Sequence, residues 1–83
     1  MAVLIYPLAT EKAIGSIERS NTITYIVNQS ATKTAIKNEF EKTFGVKVRE
    51  VRTANMPSNT KKAYIKLSKE FKATDVAVKL KLV

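Results

Sequence analysis

The apolar pattern of this chain changes its period twice between residues 22 and 67. Residues 22–28 (TITYIVN) are β-branched and aromatic and present apolar side chains to both sides, which predicts a strand covered on both faces. From Ser30 to Gly45, apolar residues recur every four positions, which predicts a helix, and residues 61–67 (KKAYIKL) alternate again. A strand, a crossing helix and a further strand restrict the chain to a small α+β domain.

The N-terminus of the predicted central helix contains an electrostatic anomaly. Ile36, Phe40 and Phe44 form its apolar stripe, and Lys33 and Lys37 fall in its first turns, where the helix dipole disfavours cations. At about 100° per residue, Lys33 lies in line with the stripe and Lys37 at its edge. The sequence therefore predicts both lysines near the buried side of the helix.

Two interpretations of this helix end remain open. The lysines are either incidental, at a cost of about 0.5 kcal/mol, or part of an anion-binding site. Such a site would combine the backbone N–H groups of residues 31–34 with the lysines and the hydroxyls of Thr32 and Thr34.

Two shorter helices are predicted towards the ends of the chain. Thr10 is the expected N-cap of the first, which ends in a turn at Ser20 and Asn21. Thr74 and Asp75 are expected to begin the last.

The last two strands are predicted to form a hairpin. Residues 46–55 shift their apolar parity, which indicates a bulge near Arg49 and Glu50, and residues 55–59 (NMPSN) form the turn. Lys62, Tyr64 and Lys66 then point outwards and make the outer face cationic. The predicted order is helix, strand, helix, strand, strand, helix.

Composition excludes most catalytic chemistry. The 83 residues predict one domain, 1–83, with one core, and the chain has no cysteine, no histidine and only two glycines. Disulfides, thiol or imidazole catalysis, the usual zinc sites and phosphate-binding glycine loops are thereby excluded. We predict no enzyme, cofactor or metal; an acylphosphatase-like domain, the nearest enzymatic rival, would need the missing glycine-rich loop.

Charge favours a polyanionic partner. The chain has a formal net charge of +8, and residues 46–83 hold ten bases against three acids. Arginine and asparagine around the hairpin suit phosphates and 2′-hydroxyls, which favours nucleic acid over lysines that merely solvate exposed strands. Tyr64 could stack a base between its two lysines, although a simple surface role is the preferred interpretation.

The N-terminal apolar run VLIYPL is too short for a membrane span, lacks a preceding basic region and contains Pro7. A secretory signal is therefore not expected, and we predict a soluble intracellular protein.

Three ordered motifs resemble the ribosomal protein L23 family of the large subunit. They are PLATEK at 7–12, ATKTAIK at 31–37, and KKAYIKLS at 61–68 followed eight positions later by Val76. Asn21 before the first strand and FGVKV after the helix also match, so that the resemblance covers essentially the whole chain.

The resemblance implies a three-layer α/β/α domain with an antiparallel sheet, ribosome-bound in the cytoplasm beside the polypeptide exit tunnel. It implies contact with large-subunit rRNA and a neighbouring ribosomal protein, and docking of signal recognition particle and nascent-chain factors, with Glu11 on the docking surface. A free basic α+β module of chromatin or RNA-chaperone type is the alternative. Together, charge, hairpin composition and resemblance predict these RNA contacts: Thr10, Lys12, Asn21, Thr32, Lys33, Lys37, Arg49, Arg52, Thr53, Asn55, Lys61 and Lys62.

The chain departs from the bacterial members in its short NMPSN turn, where they carry a long basic loop in the tunnel wall. Because the motifs start within ten residues of Met1, we also expect no long basic N-terminal extension of the kind that eukaryotic members carry. These differences predict an archaeal protein, and many lysines without cysteine suit a thermophile.

Overall fold

A computed structural model describes residues 3–57 and 60–80, and it confirms the α+β class. None of the helices in these ranges is long and apolar enough to cross a membrane. In chain order the elements are β1 Leu4–Pro7, α1 Glu11–Ser20, β2 Thr22–Val27, α2 Lys33–Phe44, β3 Val48–Asn55, β4 Lys61–Leu67 and α3 Ala73–Lys79.

The strands form one antiparallel sheet in the order β1-β2-β4-β3. β1 is absent from the predicted order because it is only four residues long and ends in Pro7, which is tolerated on an edge strand such as this. The predicted bulge is confirmed, since the register of β3 against β4 shifts between Val48 and Glu50.

The helices cover both faces of the sheet, as the three-layer prediction requires. All six residues of β2 are buried. On one face, Phe40 of α2 is fully buried and contacts the ring of Tyr25 edge-on, with centroids 6.3 Å apart. This burial raises the pKa of the Tyr25 phenol by desolvation. α1 lies on the opposite face beside β2 and also packs against α3.

Threonine residues cap the N-termini of α1 and α2. The Thr10 hydroxyl accepts from the Ala13 N–H at 3.2 Å, as predicted, and the Thr32 hydroxyl accepts from the Ala35 N–H at 3.1 Å. α2 begins at Lys33 and not near Ser30, because the Asn28 side chain holds Ser30 in a turn through its backbone N–H at 3.0 Å.

The end of α2 follows the prediction. Gly45 caps the helix in the left-handed region with φ 65°, and its N–H donates to the Glu41 carbonyl.

Hydrogen bonds of Asn21 connect the end of α1 to the start of α3. Its φ is 52°, in the left-handed region, and its side-chain amide donates to the carbonyls of Leu67, Ser68 and Phe71. Its Oδ1 accepts from the Ala73 N–H at 2.6 Å. α3 therefore begins at Ala73, one residue before the predicted start, because a cap distant in sequence satisfies its first N–H.

Candidate nucleic-acid interface

One cationic surface forms where the hairpin meets the N-terminus of α2, and we call it the α2 end: Thr32, Lys33, Lys37, Asn55 and Lys61. Lys61 begins β4 opposite Asn55 of β3, and its Nζ donates to the Ala31 carbonyl at 2.8 Å. Lys61 is thereby held beside the Thr32 cap. The first turn of α2 contains no acidic residue. The positive charges of the lysines and the positive end of the helix dipole therefore both attract an anion here.

Lys33 and Lys37 are both exposed, whereas Ile36 between them is fully buried. This corrects the prediction that both lie near the buried side of the helix. Side chains on a helix point back towards its N-terminus, so that Lys33, the first helical residue, extends past the helix end and not over the core. Lys33 is therefore exposed to solvent.

A second surface is a groove of about 520 Å³ between α1 and the outer face of the hairpin, which we call the α1 groove. α1 contributes a polar row with four-residue spacing, so that its members share one side of the helix. The full lining consists of Lys12, Ser16, Ser20, Thr22, Glu50, Arg52, Thr53, Tyr64 and Lys66.

Tyr64 stands at the boundary between this groove and a smaller neighbouring cavity, which Thr10, Lys12 and Lys62 also line. The Lys62 Nζ lies 5.9 Å from the centre of the Tyr64 ring, within the range of a cation–π contact. Tyr64 is 37% exposed. The predicted outward direction of Lys62, Tyr64 and Lys66 is confirmed.

Lys61 and Lys62 belong to different surfaces, although they are adjacent in sequence. Successive side chains of a strand point to opposite faces, so that Lys61 faces α2 and Lys62 faces α1. Lys61 therefore shares a surface with the N-terminus of α2, whereas Lys62 lies on the opposite face of the sheet.

Three other predicted residues have distinct surroundings. Arg52 contacts Glu50 at 3.4 Å, but this pair is exposed and contributes little, so that Arg52 remains available to a ligand. Arg49 is exposed at the bulge of β3. Asn21 is different, because both polar atoms of its side chain are engaged within the chain, and we leave it out of the proposed RNA contacts.

Four residues that line the α1 groove were not among the predicted contacts: Ser16, Ser20, Thr22 and Lys66. The signal for the serines was available, since Ser16 and Ser20 follow Lys12 at intervals of four on α1. Nothing local indicated that this row faces β4. In the described ranges 3–57 and 60–80, no group of three or more acidic side chains could hold a metal ion.

The fold and its two cationic surfaces define a small basic α+β domain. The sequence matches the family described as Ribosomal protein L23 over residues 2–81. It is 46% identical over 81 residues to the large ribosomal subunit protein uL23 of Trypanosoma brucei brucei, a match covering 98% of this chain and 49% of that relative. The chain belongs to the ribosomal protein L23 family. It spans about half the length of this curated relative.

Proposed function

We propose that the chain is a non-catalytic structural constituent of the large ribosomal subunit that binds large-subunit rRNA. The observation that carries the proposal is the family match across residues 2–81, since it covers almost the whole chain. The net charge of +8 supports it independently, because a polyanion is the partner that such a domain attracts most strongly.

The proposed contacts divide between cations that neutralise phosphates and polar groups that set the register. At the α2 end, Lys33, Lys37 and Lys61 surround a helix terminus that itself attracts anions. On the other face, the cations are Lys12, Arg52 and Lys62, with Arg49 at the sheet edge.

The polar contacts are Thr10, Thr32, Thr53 and Asn55. As N-caps, Thr10 and Thr32 accept a hydrogen bond from their own helix through the hydroxyl oxygen. Each hydroxyl retains its hydrogen, which it donates to a phosphate or ribose oxygen. The same two residues thus stabilise the helices and position the RNA.

We further propose that the domain lies near the polypeptide exit tunnel of cytoplasmic ribosomes, beside a neighbouring ribosomal protein. It would help to form the docking site for signal recognition particle and nascent-chain factors. Glu11 supports this role because it is exposed in the first turn of α1. The archaeal source stays a prediction.

The test of the main proposal is sedimentation of tagged full-length chain from a cell lysate. We expect the chain to migrate with the large subunit through a sucrose gradient after a moderate salt wash, because many simultaneous contacts hold it there. A free nucleic-acid-binding module would instead dissociate from the subunit during the salt wash and migrate with bulk RNA or DNA. That distribution would contradict the proposal.

Reversing the charge of Glu11 tests the docking role. Glu11→Lys is expected to weaken binding of signal recognition particle to purified ribosomes about tenfold, or about 1.4 kcal/mol, because a favourable charge contact is replaced by a repulsive one. Incorporation of the chain into the large subunit should not change. Glu18→Lys, at another exposed position of α1, is the matched control. Loss of both binding and incorporation in Glu11→Lys would show that the residue is structural.

A further inference from the structure

We propose that the α1 groove binds one unpaired nucleotide of the RNA, whose base stacks on Tyr64. This inference rests on the proposed rRNA binding and adds to it a specific site and the conformation of the nucleotide that occupies it. Three features of the groove carry it: an exposed aromatic ring, an excess of cations and a suitable size.

The ring of Tyr64 is held on a rigid support. β4 is a central strand, paired with β2 on one side and β3 on the other, so that its backbone is fixed. Lys62 lies over the ring at 5.9 Å, and a cation on one face of a ring leaves the other face for stacking. Base stacking on such a ring is tolerant of sequence because every base has an aromatic face.

The residues of α1 that line the groove leave it open. Ser16 and Ser20 are small, and they stand where larger apolar side chains would have closed the space and buried Tyr64. Tyr64 is 37% exposed as a residue, in contrast to Tyr25, which is 8% exposed within the core. The groove is thus an open cavity in which Tyr64 is accessible to a ligand.

The charges of the groove suit a nucleotide. The charged residues that line the groove are three cations and one acid: Lys12, Arg52, Lys66 and Glu50. The cations bind the phosphates on either side of the stacked base. Glu50, 3.4 Å from Arg52, is also able to accept a hydrogen bond from an exocyclic amino group of the base.

The size of the groove is compatible with one unpaired nucleotide. Its volume of about 520 Å³ lies within the range of small-ligand sites, roughly 300–1,000 Å³. A base within an RNA duplex is already stacked on its neighbours and cannot reach the ring, whereas loops and bulges present splayed bases. The occupant is therefore a single extruded nucleotide.

The test uses the full chain and a short single-stranded RNA that carries 2-aminopurine, whose fluorescence falls when the base stacks. We expect wild-type protein to quench this fluorescence and Tyr64→Leu to lose the quenching together with about tenfold in affinity. Tyr64→Phe keeps the ring and should bind within about twofold of wild type. Tyr6→Leu is the matched control, because Tyr6 is 50% exposed on β1 and does not line the groove.

Three outcomes would contradict the proposed nucleotide site. The first is unchanged quenching in Tyr64→Leu, and the second is an equal loss of RNA affinity in the Tyr6 and Tyr64 variants. The third is binding of an oligoglutamate peptide that depends on Tyr64 in the same way, which would indicate an acidic protein partner. Thermal unfolding of each variant verifies that it is folded.

If Tyr64→Leu binds RNA normally while wild type still sediments with the large subunit, the proposed nucleotide site is wrong and the proposed function stands. If wild type fails to sediment with the subunit, the function itself is wrong.

Discussion

Raising the salt concentration from about 50 to about 200 mM should weaken binding of this chain to a large-subunit rRNA fragment by about a thousandfold. The proposed contacts contain seven cations divided between the two surfaces and the sheet edge, and neutralising about six phosphates would give a steep logarithmic dependence on salt. Filter binding or fluorescence anisotropy across the salt series measures the slope. An affinity that does not change with salt would contradict the electrostatic part of the proposal.

A double variant assigns part of this slope to the α2 end. Lys33→Ala with Lys37→Ala should reduce the slope by about 1.5, because two phosphate contacts are lost. The control pair, Lys69→Ala with Lys79→Ala, removes the same charge from two exposed positions outside the proposed contacts. Equal reductions in the two double variants would show that only net charge matters.

The same double variant should leave the chain no less stable. Removing two cations from the first turns of α2 relieves their repulsion by the helix dipole, a gain of about 0.5 kcal/mol. Weaker RNA binding without loss of stability would identify Lys33 and Lys37 as residues kept for binding. This outcome decides between the two interpretations that the sequence left open.

Replacing Asn21 should cause a large loss of stability. We expect Asn21→Ala to lower the free energy of unfolding by about 3 kcal/mol, measured by urea denaturation. The substitution removes an amide that bonds three carbonyls and the Ala73 N–H, and it leaves those partly buried groups unpaired. It also places alanine at φ 52°, which adds about 1 kcal/mol.

Asn21→Gly separates these two causes. Glycine adopts the left-handed conformation without strain, so that this variant should be about 1 kcal/mol more stable than Asn21→Ala while it still lacks the amide contacts. Asn38→Ala, at an exposed position of α2, should change stability by less than about 0.5 kcal/mol. A similarly small effect of Asn21→Ala would mean that its contacts do not connect α1 to α3.

The elements with local signals were predictable. The strand at residues 22–27 and the apolar stripe of α2 follow from periodicity, and the caps at Thr10 and Gly45 follow from residue type. The bulge after Val48 followed from a parity shift in the apolar pattern. Each of these features is decided by residues within a few positions of one another.

Features that depend on distant partners were not predictable. β1 is stabilised by pairing with β2 and has too few residues for a pattern of its own. The first N–H of α3 is satisfied by Asn21, 52 positions away in sequence. A sequence pattern depends on residues that are close to one another along the chain, whereas these partners come together only when the chain folds.

The sequence by itself determined the cationic character of the domain, its lack of cysteine and histidine, and the order of most of its elements. Only the tertiary structure decided how the cations are distributed. Strand alternation separates Lys61 from Lys62, and packing brings Lys12 of α1 to the same groove as Arg52 and Tyr64. Charge and residue type are properties of the chain, whereas a binding surface requires side chains from separate elements to meet.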